Sequence, residues 1–150
     1  MIKKILLVED DPNKLKALRG FLDNNKDALA ISYEWKMSFQ SGLDTILSGD
    51  FDLILLDMSM HNFEKSSTEA GGEFMKFAGE DILREMIWSD IKTPVIVVTQ
   101  YDLIGNKTLT ELKDNWQKEF GQIYADTVFY SSDQSKWQNE LLQLIKKALK

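Results

Sequence analysis

The chain has 150 residues, 43% of them apolar and 28% charged, with a formal net charge of −6 and no cysteine. That length suits one domain with a proper core, and the missing cysteines exclude a disulfide framework or thiol chemistry. Nucleic-acid binders carry a basic patch or stripe, whereas the lysines here are scattered, with a small cluster only at Lys146, Lys147 and Lys150. That cluster suits the last turn of a helix, where cations meet the negative end of the dipole.

The first apolar run, Ile5-Leu6-Leu7-Val8, ends abruptly at Glu9-Asp10-Asp11. It is too short for a signal-peptide core, and no run approaches membrane-spanning length. The expectation is a soluble, cytoplasmic protein with no nucleic-acid or membrane partner. A continuous apolar run of this length reads as a strand buried on both faces of a parallel sheet, here about Lys4–Val8. Asp11-Pro12 then supplies an N-cap and a proline at the first helical position. Leu15, Leu18 and Leu22 recur at helical spacing, which predicts a first helix to about Asn24. Ala28–Trp35 is rich in β-branched and aromatic residues and reads as a second strand.

Ser38 caps a second predicted helix that turns Leu43, Ile46 and Leu47 inward, with Gly49 after its end. The third strand spans about Phe51–Asp57, and its run Leu53-Ile54-Leu55-Leu56 also ends in an acid, Asp57. From Met58 to Ala78 the periodicity fails. This stretch is rich in Asn, Ser, Thr, Gly and charge, with Phe63, Phe74 and Phe77 interspersed. A connection this long is unusual in a compact domain; a bland excursion and a functional lid or docking surface are equally compatible with it. A third helix begins near Gly79, carrying Ile82, Leu83, Met86 and Ile87. Val95–Thr99 reads as the fourth strand. Thr108 and Glu111 form a capping box for a fourth helix through about Phe120. The fifth strand covers about Thr127–Tyr130. A fifth helix from about Asp133 carries Trp137, Leu141, Leu144, Ile145 and Ala148 on one stripe.

Strands alternating with amphipathic helices predict an α/β fold of right-handed βαβ units around a parallel sheet. Five of each fits the flavodoxin-like doubly wound order 2-1-3-4-5. In that order the first and third strands are neighbours, so Glu9, Asp10 and Asp57 converge beyond their carboxyl ends, where such sheets bind ligands. Like charges that close call for a shared cation, and hard oxygen donors suit Mg²⁺ or a similar ion.

Three stretches together resemble the receiver domain of two-component response regulators: Ile5-Leu6-Leu7-Val8-Glu9-Asp10-Asp11, Asp52-Leu53-Ile54-Leu55-Leu56-Asp57-Met58-Ser59-Met60, and Pro94-Val95-Ile96-Val97-Val98-Thr99. The resemblance covers most of the chain in the right order. It implies that Asp57 accepts a phosphoryl group, from a histidine kinase or phosphotransfer protein, and is not the nucleophile of an enzyme. It implies Mg²⁺ held by Asp10, Asp57 and the backbone carbonyl of Ser59, with Glu9 acting directly or through water. Thr99 is the implied hydroxyl that hydrogen-bonds the phosphoryl group and moves with it. The output face would be formed by the fourth helix, fifth strand and fifth helix, read by a downstream protein partner, with a homodimer through the same face left open. Trp116 suggests a partly exposed contact there, and Trp137 a core residue.

The chain departs from the family pattern in several places. Ala125-Asp126-Thr127-Val128-Phe129-Tyr130-Ser131-Ser132 places Ser131 where the family carries a lysine, and Val128 in place of its switch aromatic. Lys107 and Lys65 are the substitutes that loop position suggests. The segment at about 63–78 is an insertion, Gln100 stands where the family has a small residue, and His61 replaces the usual proline. The alternative reading is therefore a pseudo-receiver, a phosphorylation-independent protein-binding module. A phosphohydrolase ranks lower, because Ser59 stands where such chemistry wants a second carboxylate.

Overall fold

The structure is a computed structural model and describes residues 1–64 and 72–150. Its main sheet has five parallel strands, β1 (Lys3–Val8), β2 (Ile31–Lys36), β3 (Leu53–Leu56), β6 (Val95–Thr99) and β9 (Tyr124–Phe129). Their order is β2-β1-β3-β6-β9, the flavodoxin-like order expected. Four short strands form two antiparallel hairpins: β4 (Met60–His61) with β5 (Phe74–Met75), and β7 (Leu103–Ile104) with β8 (Lys107–Thr108).

The central strands are buried on both faces because helices cover both. Ile5, Leu7, Leu53, Leu55, Ile96, Val98 and Val128 pack with residues of α1 (Pro12–Leu29) and α5 (Lys136–Ala148). Leu6, Val8, Ile54, Leu56, Val95 and Val97 pack with α2 (Phe39–Ser48), α3 (Ala78–Trp88) and α4 (Leu109–Phe120). Alternation along each strand sends successive side chains to opposite faces.

Helix boundaries follow the capping chemistry. Asp11 accepts from Lys14 N at 2.9 Å, Ser38 from Ser41 N at 3.1 Å, and Thr108 with Glu111 completes the capping box. The first helix runs five residues past its expected end. Asn24 and Asn25 read as a stop, but the Asn25 side chain donates to Phe21 O at 2.8 Å, and the helix closes at Ala30 in the left-handed region, φ 55°. The second strand accordingly starts at Ile31. The fifth helix starts at Lys136 rather than near Asp133.

The segment after β3 is built, in its described part, as the β4–β5 hairpin. Asn62 N donates to Glu73 O at 2.9 Å, and Gln40 N donates to Asn62 O at 2.9 Å, which ties the hairpin to α2. Glu64 adds a second tie at the N-terminus of α2. Its carboxylate accepts from Ser41 Oγ at 2.6 Å, Ser38 Oγ at 2.8 Å and Met37 N at 3.3 Å. A carboxylate is favoured there by the unpaired N–H groups and the helix dipole.

Trp116 corrects the sequence reading. It is 1% exposed rather than a surface contact, and its indole N–H donates to Glu80 Oε2 at 2.8 Å. Its flanking Asn115 and Gln117 are exposed because the apolar stripe of α4 passes through Leu112, Trp116 and Phe120 alone. Trp137 is buried as expected, stacked at a tilt on Phe21 and Tyr130.

Candidate functional site

The strand registers assemble the site. Val8 is opposite Leu56, so the next residues, Glu9 and Asp57, emerge side by side at the carboxyl edge of the sheet. Asp57 N still donates to Val8 O at 3.0 Å, extending the ladder by one bond. Carboxylate oxygens of Glu9, Asp10 and Asp57 lie within 4.8 Å of one another. Asp57, at 4% exposure, opens into a crevice of about 160 Å³ lined also by Asp10, Asp11, Pro12, Ser59, His61, Phe74, Gln100 and Tyr101. Gly79 backs Asp57 at the start of α3: a Cβ there would meet Asp57 O at 2.9 Å.

Each carboxylate is held differently. Asp57 Oδ1 accepts from Met58 N at 2.8 Å, while among the described residues nothing donates to Oδ2. Asp10 Oδ2 accepts from His61 N at 3.0 Å and lies 3.0 Å from the imidazole Nδ1. Glu9 is 1% exposed. Burial pushes its carboxyl well above the ordinary range; Lys14 pulls it down and the neighbouring Asp57 pushes it further up.

Thr99 ends β6, fully buried, with its Oγ1 accepting from Tyr101 N at 3.2 Å. The Ser59 hydroxyl donates to Lys76 O at 2.6 Å, which pins the return of the hairpin. Phe129 is the register partner of Thr99 and is 44% exposed, whereas Val128 is fully buried. The aromatic beside the hydroxyl residue is therefore Phe129, one place after Val128, which holds the switch position in the family pattern.

The unforeseen member is Lys14, at the third position of α1 and 0% exposed. Its ammonium lies 2.7 Å from Glu9 Oε1 and 3.2 Å from Asp57 Oδ1, and it donates to Val98 O at 2.6 Å. Burial alone would lower its pKa, but Asp57 and Glu9 together outweigh that and hold it above the ordinary lysine value. Lys107, on exposed β8, makes no ion pair with these carboxylates among the described residues, and Lys65 lies outside the described residues. A signal for Lys14 exists in the sequence. It occupies the inward stripe of α1 with Leu18 and Phe21, four and seven residues on, the spacing of a buried helix face.

The donor set fits a hard divalent cation. Three carboxylates against one ammonium leave uncompensated negative charge among oxygen donors, which is the chemistry Mg²⁺ selects.

No protein-family model matches the chain. It is 28% identical over 148 residues to the Detocs response regulatory protein DtcB of Enterobacter cloacae, covering 95% of this chain and 97% of that protein. Among solved structures it is similar to the response regulator TrrA of Thermotoga maritima, determined in complex with Mg²⁺ and BeF. The TM-score is 0.65 at 20% identity, covering 98% of this chain and 99% of that one. The chain has the fold of receiver domains. The chemotaxis protein CheY4 of Vibrio cholerae shares the fold with a TM-score of 0.67 at 16% identity, over 99% of this chain and all of that one. Two features depart from the family pattern that the sequence resembles: the hairpin after β3, and Ser131, two residues past the end of β9. Ser131 lines a hollow with Phe129, Gln134, Lys136, Trp137 and Glu140, apart from the three carboxylates.

Proposed function

We propose that this chain is a receiver domain and the phosphoryl-accepting switch of a phosphorelay, with Asp57 as acceptor. The observation that supports this most is the state of the Asp57 carboxylate: one oxygen is held by Met58 N, and the other is free of donors among the described residues in an open crevice. The phosphodonor is a phosphohistidine of a histidine kinase or phosphotransfer protein. Asp57 Oδ2 attacks phosphorus; the new O–P bond forms as the N–P bond breaks. The leaving imidazole nitrogen keeps the electron pair and takes a proton from solvent. Such attack yields an acyl phosphate, and the chain relays the group without itself being an enzyme.

Glu9, Asp10, Asp57 and the Ser59 carbonyl would hold Mg²⁺, which supplies charge neutralisation for the transferring oxygens. TrrA, solved with Mg²⁺ and BeF, supports such a site on this fold. Thr99 turns its hydroxyl from Tyr101 N to a phosphoryl oxygen, and half-exposed Phe129 beside it carries the change to the face of α4, β9 and α5. That face is read by a downstream protein partner or by a second copy in a homodimer. Among the described residues no helix is long and apolar enough to cross a membrane, and we place the protein in the cytoplasm, with no nucleic-acid partner.

The test is intact mass after incubation with Mg²⁺ and acetyl phosphate. A gain of one phosphoryl group, absent in Asp57→Asn, is expected. No gain in folded protein that binds Mg²⁺ would refute the switch and leave the pseudo-receiver.

A further inference from the structure

The family pattern lacks its cation at Ser131, yet the site holds one. We infer that Lys14, carried on α1, is the residue that neutralises the phosphoryl group on Asp57, replacing a lysine at the end of the fifth sheet strand. This rests on the phosphoacceptor reading of Asp57.

Lys14 is misplaced for a structural lysine. Lysine is almost never fully buried unless paired, and a positive charge in the first turn of a helix opposes the macrodipole. Nothing about α1 itself calls for it; a leucine would continue the inward stripe of Leu18 and Phe21. What fixes the side chain is the carboxyl edge of the sheet. Its ammonium lies 2.7 Å from Glu9 Oε1 beyond β1 and 3.2 Å from Asp57 Oδ1 beyond β3, and donates to Val98 O on β6. The contact to Asp57, at 3.2 Å, is the longest of the three.

Those contacts define the division of labour. Glu9 and the Val98 carbonyl anchor the ammonium, and the longer contact to Asp57 is the one free to change partner. When Asp57 becomes an acyl phosphate, its negative charge moves outward onto the phosphoryl oxygens. The ammonium then turns an N–H to one of them. Val98 precedes Thr99, so one anchor of the cation belongs to the strand that also carries the phosphoryl-binding hydroxyl. A preorganised donor of this kind in a water-poor site is worth about 10²–10³-fold in rate.

Lys76 is the competing cation. It shares a hollow with Ser59, Tyr101 and Phe74 but pairs with none of the three carboxylates among the described residues.

The experiment compares the full chain with Lys14→Met, Lys14→Arg and Lys76→Met, each checked for folding by circular dichroism. Phosphorylation from acetyl phosphate is followed by intact mass at saturating Mg²⁺, and Mg²⁺ affinity by calorimetry. Lys14→Met is expected to bind Mg²⁺ at least as tightly as the parent, since a competing cation has gone, yet to be phosphorylated about 10²–10³-fold more slowly. Lys14→Arg recovers part of the rate and Lys76→Met all of it. A folded Lys14→Met that is phosphorylated within about threefold of the parent rate overturns the inference, as does weaker Mg²⁺ binding that accounts for the whole loss. A second measurement needs no variant. In ¹⁵N-lysine-labelled parent protein, the buried ammonium signal, assigned through its contacts to neighbouring side chains, should shift when Mg²⁺ and beryllofluoride are added. An unmoved signal with bound beryllofluoride overturns the inference alone. A parent that takes neither phosphoryl nor beryllofluoride overturns the phosphoacceptor reading and this inference together.

Discussion

Replacing Lys14 by methionine keeps most of the side-chain volume and removes one charge from a buried cluster. Glu9 and Asp57 then face each other at 1% and 4% exposure with no ammonium between them. Breaking a buried ion network by deleting one partner costs about 3–5 kcal/mol. For a domain of this size, with about 2–4 °C per kcal/mol, the metal-free melting temperature should fall by roughly 6–20 °C. A stability of about 10 kcal/mol, mid-range for a domain, leaves the variant folded at low temperature. The defect should depend on pH in a definite sense. Glu9 is raised above its ordinary value of 4.5 by burial and by Asp57, and Lys14 is what holds it down. Without Lys14 it rises further. A carboxyl raised in the folded state contributes stability that is full below its unfolded pKa and is lost as pH climbs through the folded one. Lys14 in the parent is raised above 10.5, so its own contribution is constant across neutral pH. The gap between parent and variant should therefore widen from pH 5 to pH 8, and Mg²⁺ should narrow it by restoring positive charge. The assay is differential scanning calorimetry of both proteins with chelator, then with Mg²⁺. A gap that is absent, constant or closing with rising pH refutes the charge argument.

Two further outcomes are expected. Glu64→Gln should loosen the β4–β5 hairpin, with amide hydrogen exchange at residues 61–63 and 73–75 faster by about tenfold for the loss of about 1–1.5 kcal/mol of hydrogen bonding, while the global melting temperature hardly changes. Although burial alone would raise the Glu64 carboxyl, the Ser41, Ser38 and Met37 bonds outweigh it and lower its pKa, so in the parent the tie holds above about pH 4.5 and releases as pH falls through the depressed folded value. Trp116→Phe should destabilise the protein by about 2–4 kcal/mol in urea unfolding, through the lost bond to Glu80 and the space left behind. An unchanged midpoint would return Trp116 to the surface role that its polar neighbours suggested.

Much of this molecule is legible in its sequence, and the parts that are not have definite causes. The buried strands announce themselves because parallel strands are apolar on both faces, so Ile5–Val8, Leu53–Leu56 and Val95–Val98 stand out without alternation. Once those are placed, strand order alone brings Glu9, Asp10 and Asp57 together. Caps with a single strong donor or acceptor, such as Thr108 with Glu111, give their helix boundary to the residue. The end of α1 was hidden because asparagine satisfies a mid-helix carbonyl as readily as it stops a helix, and because Ala30 takes a backbone conformation usually left to glycine. The hairpin after β3 was hidden because two-residue strands have no periodicity to detect. Lys14 was missed for a different reason. A lysine at a helix start looks solvated unless its place on the inward stripe is given more weight than its charge. Loop position points to Lys107 and Lys65, whereas the cation beside Asp57 comes from the inward face of α1.

The first turn of α3 touches two things at once. Gly79 lies against the peptide carbonyl of Asp57 closely enough to exclude a methyl group, and the adjacent Glu80 grips the indole of Trp116 on α4. Arg84, one turn on, bonds both Glu80 and Glu119, the latter at the far end of α4. Two residues of backbone thus separate the floor of the crevice from a helix whose other side faces solvent. A shift of the Asp57 peptide would therefore meet the first turn of α3 directly, and that turn is bonded to α4. On the switch reading of Asp57, the route from crevice to α4 would run through a packed glycine, the Glu80 carboxylate and the indole it holds.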